Sequence, residues 1–99
     1  MISKAVFAGT FDPFTLGHFE IAERAAKRFD EVIVAVADVT GKTCMFSLEK
    51  RVELAKKSIS SLKNVKVMPF GGFLVDFMKK NGATVFVRGL RNSVDFEYE

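Results

Sequence analysis

Ten residues, Gly9-Thr10-Phe11-Asp12-Pro13-Phe14-Thr15-Leu16-Gly17-His18, gather most of the groups in this chain that could do chemistry. They bring together two threonine hydroxyls, a carboxylate, two glycines and the sole histidine of the sequence. An imidazole donates a hydrogen bond in either protonation state, and as a cation it adds charge. The ligand that suits such a set is a phosphate. The stretch follows an apolar run, Ala5-Val6-Phe7-Ala8, long enough for one buried strand. It precedes residues 19–29, in which Ile21, Ala22, Ala25, Ala26 and Phe29 recur at helical spacing. The ten residues therefore form a strand-to-helix turn, which an α/β fold places at the carboxyl edge of its sheet, where ligands bind. Gly9 is expected to let the backbone approach a ligand closely, and Asp12-Pro13 to break the strand. Gly17 and His18 fall in the first helical turn, where free N–H groups and the positive dipole end favour an anion. His18 is expected to touch that anion rather than merely to cap or pack.

The remaining elements must hold this turn in place. Residues 31–37 (Glu-Val-Ile-Val-Ala-Val-Ala) form a continuous apolar run, expected as a strand buried on both faces. Residues 38–46 then form a loop at the same edge, in which Lys42 stands beside Gly41. Lys42 is either a solvated loop charge or a phosphate ligand; the residues leave both open. Gly41-Lys42-Thr43 resembles the end of a P-loop, but the upstream glycine is absent. Ser47 is a natural N-cap, with Glu49 in the first turn of the helix that follows. Leu48, Val52, Ala55, Ile59 and Leu62 give that helix an apolar stripe, and Lys50, Arg51, Lys56 and Lys57 are expected on its solvated face. Val65–Met68 alternates like a strand at or near an edge. Pro69–Gly72 turns the chain into a helix from Phe73 to Lys80, closed by Asn81-Gly82. Phe70, Phe73, Leu74, Phe77 and Met78 are expected in the core, with Leu74 able to line a pocket at the helix start. Ala83–Val87 is the fourth strand, and Arg88-Gly89-Leu90-Arg91 follows at its carboxyl end. Ser93 is expected to cap a last helix running to Glu99. Strand–helix alternation with short connections predicts a doubly wound parallel sheet of Rossmann-like α/β class. One edge of it then collects Thr10, Phe11, His18, Lys42, Arg88 and Arg91, a set suited to polyphosphate.

Composition narrows the classes. Ninety-nine residues make one domain, and 48% hydrophobic content with eleven phenylalanines can build a core without disulfides or structural metal. A net charge of +3 without a run of like charges gives no argument for nucleic acid, and the phenylalanines fall in core-like periodicity. The single Cys44 lacks metal-ligand spacing and a second histidine to activate it. Met1-Ile2-Ser3-Lys4 runs straight into the first strand, which leaves no room for a signal peptide. No apolar run approaches the length of a membrane span. A soluble, cytoplasmic protein is expected.

The pattern G-T-F-D-P-x-T-x-G-H resembles the nucleotidyltransferase superfamily signature, in which a His or Thr lies two residues before the Gly-His pair. Together with Phe46-Ser47-Leu48-Glu49-x-Arg51, Arg88-Gly89-Leu90-Arg91 and Asp95-Phe96-Glu97-Tyr98-Glu99, it resembles bacterial phosphopantetheine adenylyltransferase from Lys4 to Glu99. The resemblance implies transfer of AMP from ATP to 4′-phosphopantetheine, giving dephospho-coenzyme A and pyrophosphate, with Mg²⁺ and a homohexamer. It also implies contacts with coenzyme A or its dephospho form. It implies that Thr10 contacts both substrates, that the Phe11 backbone contacts ATP, and that His18 stabilises the transition state at the ATP phosphates. Lys42, Leu74 and Arg88 would hold phosphopantetheine; Gly89, Leu90, Arg91 and Glu99 would line the nucleotide site. Members of the family are longer, so residues 1–99 are expected as one nucleotidyltransferase domain incomplete at its C-terminus. Adenylylation of nicotinate mononucleotide and CMP transfer to an alcohol phosphate fit the two later motifs less well, and Thr15 in place of His argues the same way. A non-catalytic nucleotide-binding module is the rival from another class.

Overall fold

The computed structural model describes residues 3–39, 43–90 and 93–98, of which 88–90 and 93–98 are described as backbone. The element order is β1 (Lys4–Gly9), α1 (Leu16–Arg28), β2 (Glu31–Ala37), α2 (Leu48–Ser58), β3 (Val65–Phe70), α3 (Leu74–Lys80), β4 (Val85–Leu90) and β5 (Ser93–Tyr98). The sheet runs β3-β2-β1-β4-β5. β1 through β4 are parallel, and β5 pairs antiparallel with β4.

The chain steps outward from β1 to β2 to β3, then returns across the sheet to β4 beside β1. Because parallel crossovers are right-handed, that reversal moves the connecting helix to the other face. The packing follows. Ala22 and Ala25 of α1 and Ala55 of α2 share one core cluster with Ala5, Phe7, Val32, Val34, Val36, Val85 and Val87. Met78 of α3 packs on the opposite face with Val6, Ile33 and Ala35. Strand residues of alternating parity supply the two faces, so β2 is buried along its middle, Val32 to Val36. β3 is exposed at Lys66, as an edge strand should be. Its Pro69 sits where a missing N–H is tolerated.

Two expectations are corrected. The final stretch is a strand, where a capped helix was expected. The physical reason is antiparallel pairing with β4, which the alternation of Val94, Phe96 and Tyr98 with Ser93, Asp95 and Glu97 permits. Phe73 is 77% exposed and is not a core residue. It is the N-cap of α3, one position before the first turn, and so stands off the buried stripe formed by Leu74, Phe77 and Met78. Among the described residues, no helix is long and apolar enough to cross a membrane.

Candidate active site at the carboxyl edge of β1

β1 pairs with β2 as far as Gly9–Val36, but with β4 only as far as Phe7–Val87. The sheet therefore opens between β1 and β4, at the point where its winding reverses. Ligands bind at such switch points in open α/β sheets. The turn 9–18 emerges on one side of this opening and the backbone of Arg88, Gly89 and Leu90 on the other.

The turn is built from its aromatic residues. Phe11 takes φ 49°, the left-handed region that bulky side chains avoid. Its ring is held there by burial, 4% exposed, edge-on to Phe7 at 5.1 Å and to His18 at 4.9 Å. Phe14 closes the cluster at 5.2 Å from Phe11 and 5.4 Å from His18. Gly9 has a different reason from the one its sequence position suggests. A Cβ on Gly9 would lie 3.1 Å from the Phe11 ring, so the glycine makes room for an aromatic ring of this chain.

Thr15 caps α1, and His18 completes a reciprocal capping box. The Thr15 hydroxyl accepts from the His18 N–H at 3.3 Å, and the Thr15 N–H donates to His18 Nδ1 at 3.0 Å. The Thr15 hydroxyl also lies 3.1 Å from Nδ1. A backbone N–H can only donate, so Nδ1 is an acceptor and the neutral ring carries its proton on Nε2. His18 thus does cap and pack, but through one nitrogen. Nε2–H has no hydrogen-bond partner among the described residues and remains a donor. Nor does α1 carry an acidic residue in its first turn, so its positive end is not offset by a side chain of its own.

Burial holds the His18 pKa below its ordinary value of about 6.5. The unfolded chain then binds the proton more readily, so stability falls as pH drops below the ordinary value and levels off below the folded one. Protonation would also turn Nδ1 into a donor facing the Thr15 N–H. The melting temperature of the wild type is expected to fall more steeply between pH 7 and pH 5 than that of His18→Gln. Parallel curves would remove His18 from that titration.

Two further residues shape this edge. Both Asp12 carboxylate oxygens accept backbone N–H groups, from Met45 and from Phe46, which ties the start of α2 to the turn. Asp12→Ala should cost about 1.5–3 kcal/mol and lower the melting temperature by roughly 4–8 °C per kcal/mol. Asp12→Asn keeps one acceptor and should lose about half as much; an unchanged melting temperature in Asp12→Ala would mean the segment is held by other contacts.

Arg51 corrects an expectation. Instead of lying on the solvated face of α2, it is 3% exposed. Its Nε donates to the Phe46 carbonyl at 3.1 Å, and its Nη1 to the carbonyls of Thr10 and Ala37, each at 2.9 Å. The signal was in the spacing: Arg51 is three residues after Leu48 and four before Ala55, on the apolar stripe itself.

Of the residues expected at the site, Phe11 and His18 are in ring contact, and Thr10 precedes Phe11 in the same turn with its carbonyl held by Arg51. Leu74 is half-buried at the start of α3, on the opposite face of the sheet at the same edge. Arg88, Gly89 and Leu90 are placed by backbone at the end of β4. Lys42, Arg91 and Glu99 lie outside the described residues.

The cytidylyltransferase-like family model matches residues 6–99. The chain belongs to the cytidylyltransferase-like family. Within that family it is 54% identical, over all 99 residues, to the phosphopantetheine adenylyltransferases of Nautilia profundicola and Tolumonas auensis. It spans 64% and 60% of their lengths. Solved structures share the fold of this chain at lower identity. The lipopolysaccharide core biosynthesis protein of Thermoplasma volcanium aligns with a TM-score of 0.68 and 22% identity, over 87% of this chain and 73% of its own. A bifunctional NMN adenylyltransferase/ADP ribose pyrophosphatase of Francisella tularensis aligns with a TM-score of 0.67 and 23% identity, over 83% of this chain and 28% of its own.

Proposed function

We propose that this domain transfers AMP from ATP to 4′-phosphopantetheine, giving dephospho-coenzyme A and pyrophosphate. The observation that carries the reading is 54% identity, sustained over the whole chain, to two phosphopantetheine adenylyltransferases. The geometry supports it: an Nε2–H without a partner among the described residues, and a helix N-terminus with no acidic residue in its first turn, lie beside the opening between β1 and β4.

In the reaction, a phosphate oxygen of phosphopantetheine attacks the α-phosphorus of ATP. The new O–P bond forms as the bond to the bridging oxygen breaks, and the electron pair leaves with pyrophosphate. The acceptor is already a competent nucleophile, so the protein needs no general base. Its task is to align two anions and to stabilise charge on the departing oxygens. His18 Nε2–H is the donor assigned to the ATP phosphates, with Thr10 and the Phe11 N–H beside it. Lys42, Leu74 and Arg88 are assigned to phosphopantetheine, and Gly89, Leu90, Arg91 and Glu99 to the nucleotide. Among the described residues, no three metal-ligating side chains converge. Mg²⁺, which the resemblance implies, is assigned to the ATP phosphates, because it needs few protein ligands when substrate phosphates supply the rest. A homohexamer, as the resemblance implies, and a cytoplasmic setting, as read from the sequence, complete the proposal.

The test is pyrophosphate release from ATP and Mg²⁺, with 4′-phosphopantetheine and nicotinate mononucleotide as parallel acceptors. Release with phosphopantetheine alone is expected. Release with nicotinate mononucleotide alone would overturn the substrate assignment.

A further inference from the structure

Beneath the nucleotide edge lies a charge that the proposed chemistry does not use. Arg51 is buried, and among the described residues no carboxylate stands within ion-pair distance of it. Its partners are three backbone carbonyls drawn from the end of β1, the end of β2 and the residue before the N-cap of α2. A buried cation without a counter-charge is costly, and carbonyl dipoles offset the lost hydration while leaving the positive charge in place. Arginine suits the position because its rigid planar fork can reach several acceptors at once.

The bond to Thr10 has a directional consequence. The Thr10–Phe11 peptide is trans, so its C=O and N–H point in opposite directions. Arg51 holds that carbonyl at 2.9 Å, which turns the Phe11 N–H away from the guanidinium. No hydrogen bond occupies the Phe11 N–H among the described residues. Phe11 is also, among the described residues, the one non-glycine with a positive φ, so its backbone is in a conformation that needs holding.

We infer that Arg51 is a positioning residue for the nucleotide: by clamping the Thr10 carbonyl it aims the Phe11 N–H at a phosphate oxygen, and its uncompensated charge is met by the bound polyphosphate. This rests on the reading of the edge as an ATP phosphate site.

The experiment is calorimetric titration of ATP into the 99-residue chain, as wild type, Arg51→Lys, Arg51→Met and Ala55→Gly. Lysine keeps the charge but has one donor nitrogen on a flexible stem where Arg51 uses Nε and Nη1 on a rigid plane. Ala55→Gly weakens the same helix at a buried position away from the edge. Arg51→Lys is expected to weaken ATP binding at least tenfold, Arg51→Met further, and Ala55→Gly less than twofold, whatever each does to the melting temperature. Wild-type affinity in Arg51→Lys would overturn the inference. So would equal losses in Arg51→Lys and Ala55→Gly, which would reduce Arg51 to a stabilising residue. If the Arg51 variants do not fold, amide NMR of the wild type decides: the Phe11 N–H and the Arg51 Nε–H should both shift on adding ATP, and an unmoved Phe11 N–H would overturn it. A wild type that does not bind ATP would remove the site reading and the inference with it.

Discussion

His18→Ala should lower the rate of pyrophosphate release by a factor on the order of 10²–10³ while leaving the fold intact. The size follows from the geometry of the donor. The capping box fixes the imidazole through Nδ1, and Phe7, Phe11 and Phe14 pack around the ring. Nε2–H is therefore held in place before the transition state forms, and no rotamer freedom is lost when phosphate charge develops against it. A preorganised donor in a partly desolvated place is worth far more than the same group in water. Structural damage from the substitution should be small. Thr15 keeps its bond to the backbone N–H of residue 18, so half of the capping box is lost, about 1 kcal/mol. The ring's contacts with Phe7, Phe11 and Phe14 go with it, while Phe11 and Phe14 still pack on each other. Single-turnover pyrophosphate release, alongside a melting curve, separates the two effects. A variant that keeps more than half of the wild-type rate would take His18 out of the chemistry.

The elements that place this histidine were legible because their signals are local. A β-branched run for β2, Ser47 as the cap of α2 and the Asn81-Gly82 stop after α3 each describe their own neighbourhood. Their agreement leaves few topologies open. Readings failed where a residue's partner is distant in sequence. Arg51 bonds to Thr10 and Ala37, and Asp12 to Met45 and Phe46. Charge alone put Arg51 on the surface, although its place on the Leu48–Ala55 stripe pointed inward. Asp12 read as a strand breaker because Pro13 follows it, which hid its carboxylate's role as acceptor for the start of α2. In the last stretch the case differs. Ser93 is a fair helix cap and the alternation of Val94, Phe96 and Tyr98 is a fair strand, and six residues cannot separate the two periods. Pairing with β4 decides for the strand.

The two glycines of the turn make opposite predictions, because one faces the protein and the other does not. At Gly9 an added Cβ would sit 3.1, 3.3 and 3.4 Å from three atoms of the Phe11 ring. That ring cannot retreat easily, being buried against Phe7, Phe14 and His18. Gly9→Ala should therefore destabilise by about 1–3 kcal/mol, as overpacking does. At Gly17 an added Cβ would meet only the Thr15 hydroxyl, at 3.6 Å, an ordinary contact. Within a helix alanine is favoured over glycine by up to about 1 kcal/mol, so nothing in the described fold calls for glycine at position 17. The space its hydrogen leaves open lies in the first turn of α1, beside the N–H groups that would face a phosphate. Gly17→Ala should then melt no lower than the wild type and yet bind ATP at least tenfold more weakly, by roughly 1.4 kcal/mol or more. Loss of affinity without loss of stability is the signature of a glycine kept for a ligand. If Gly17→Ala binds ATP as tightly as the wild type, the phosphates do not approach the first turn of α1, and the assignment of His18 falls with that geometry.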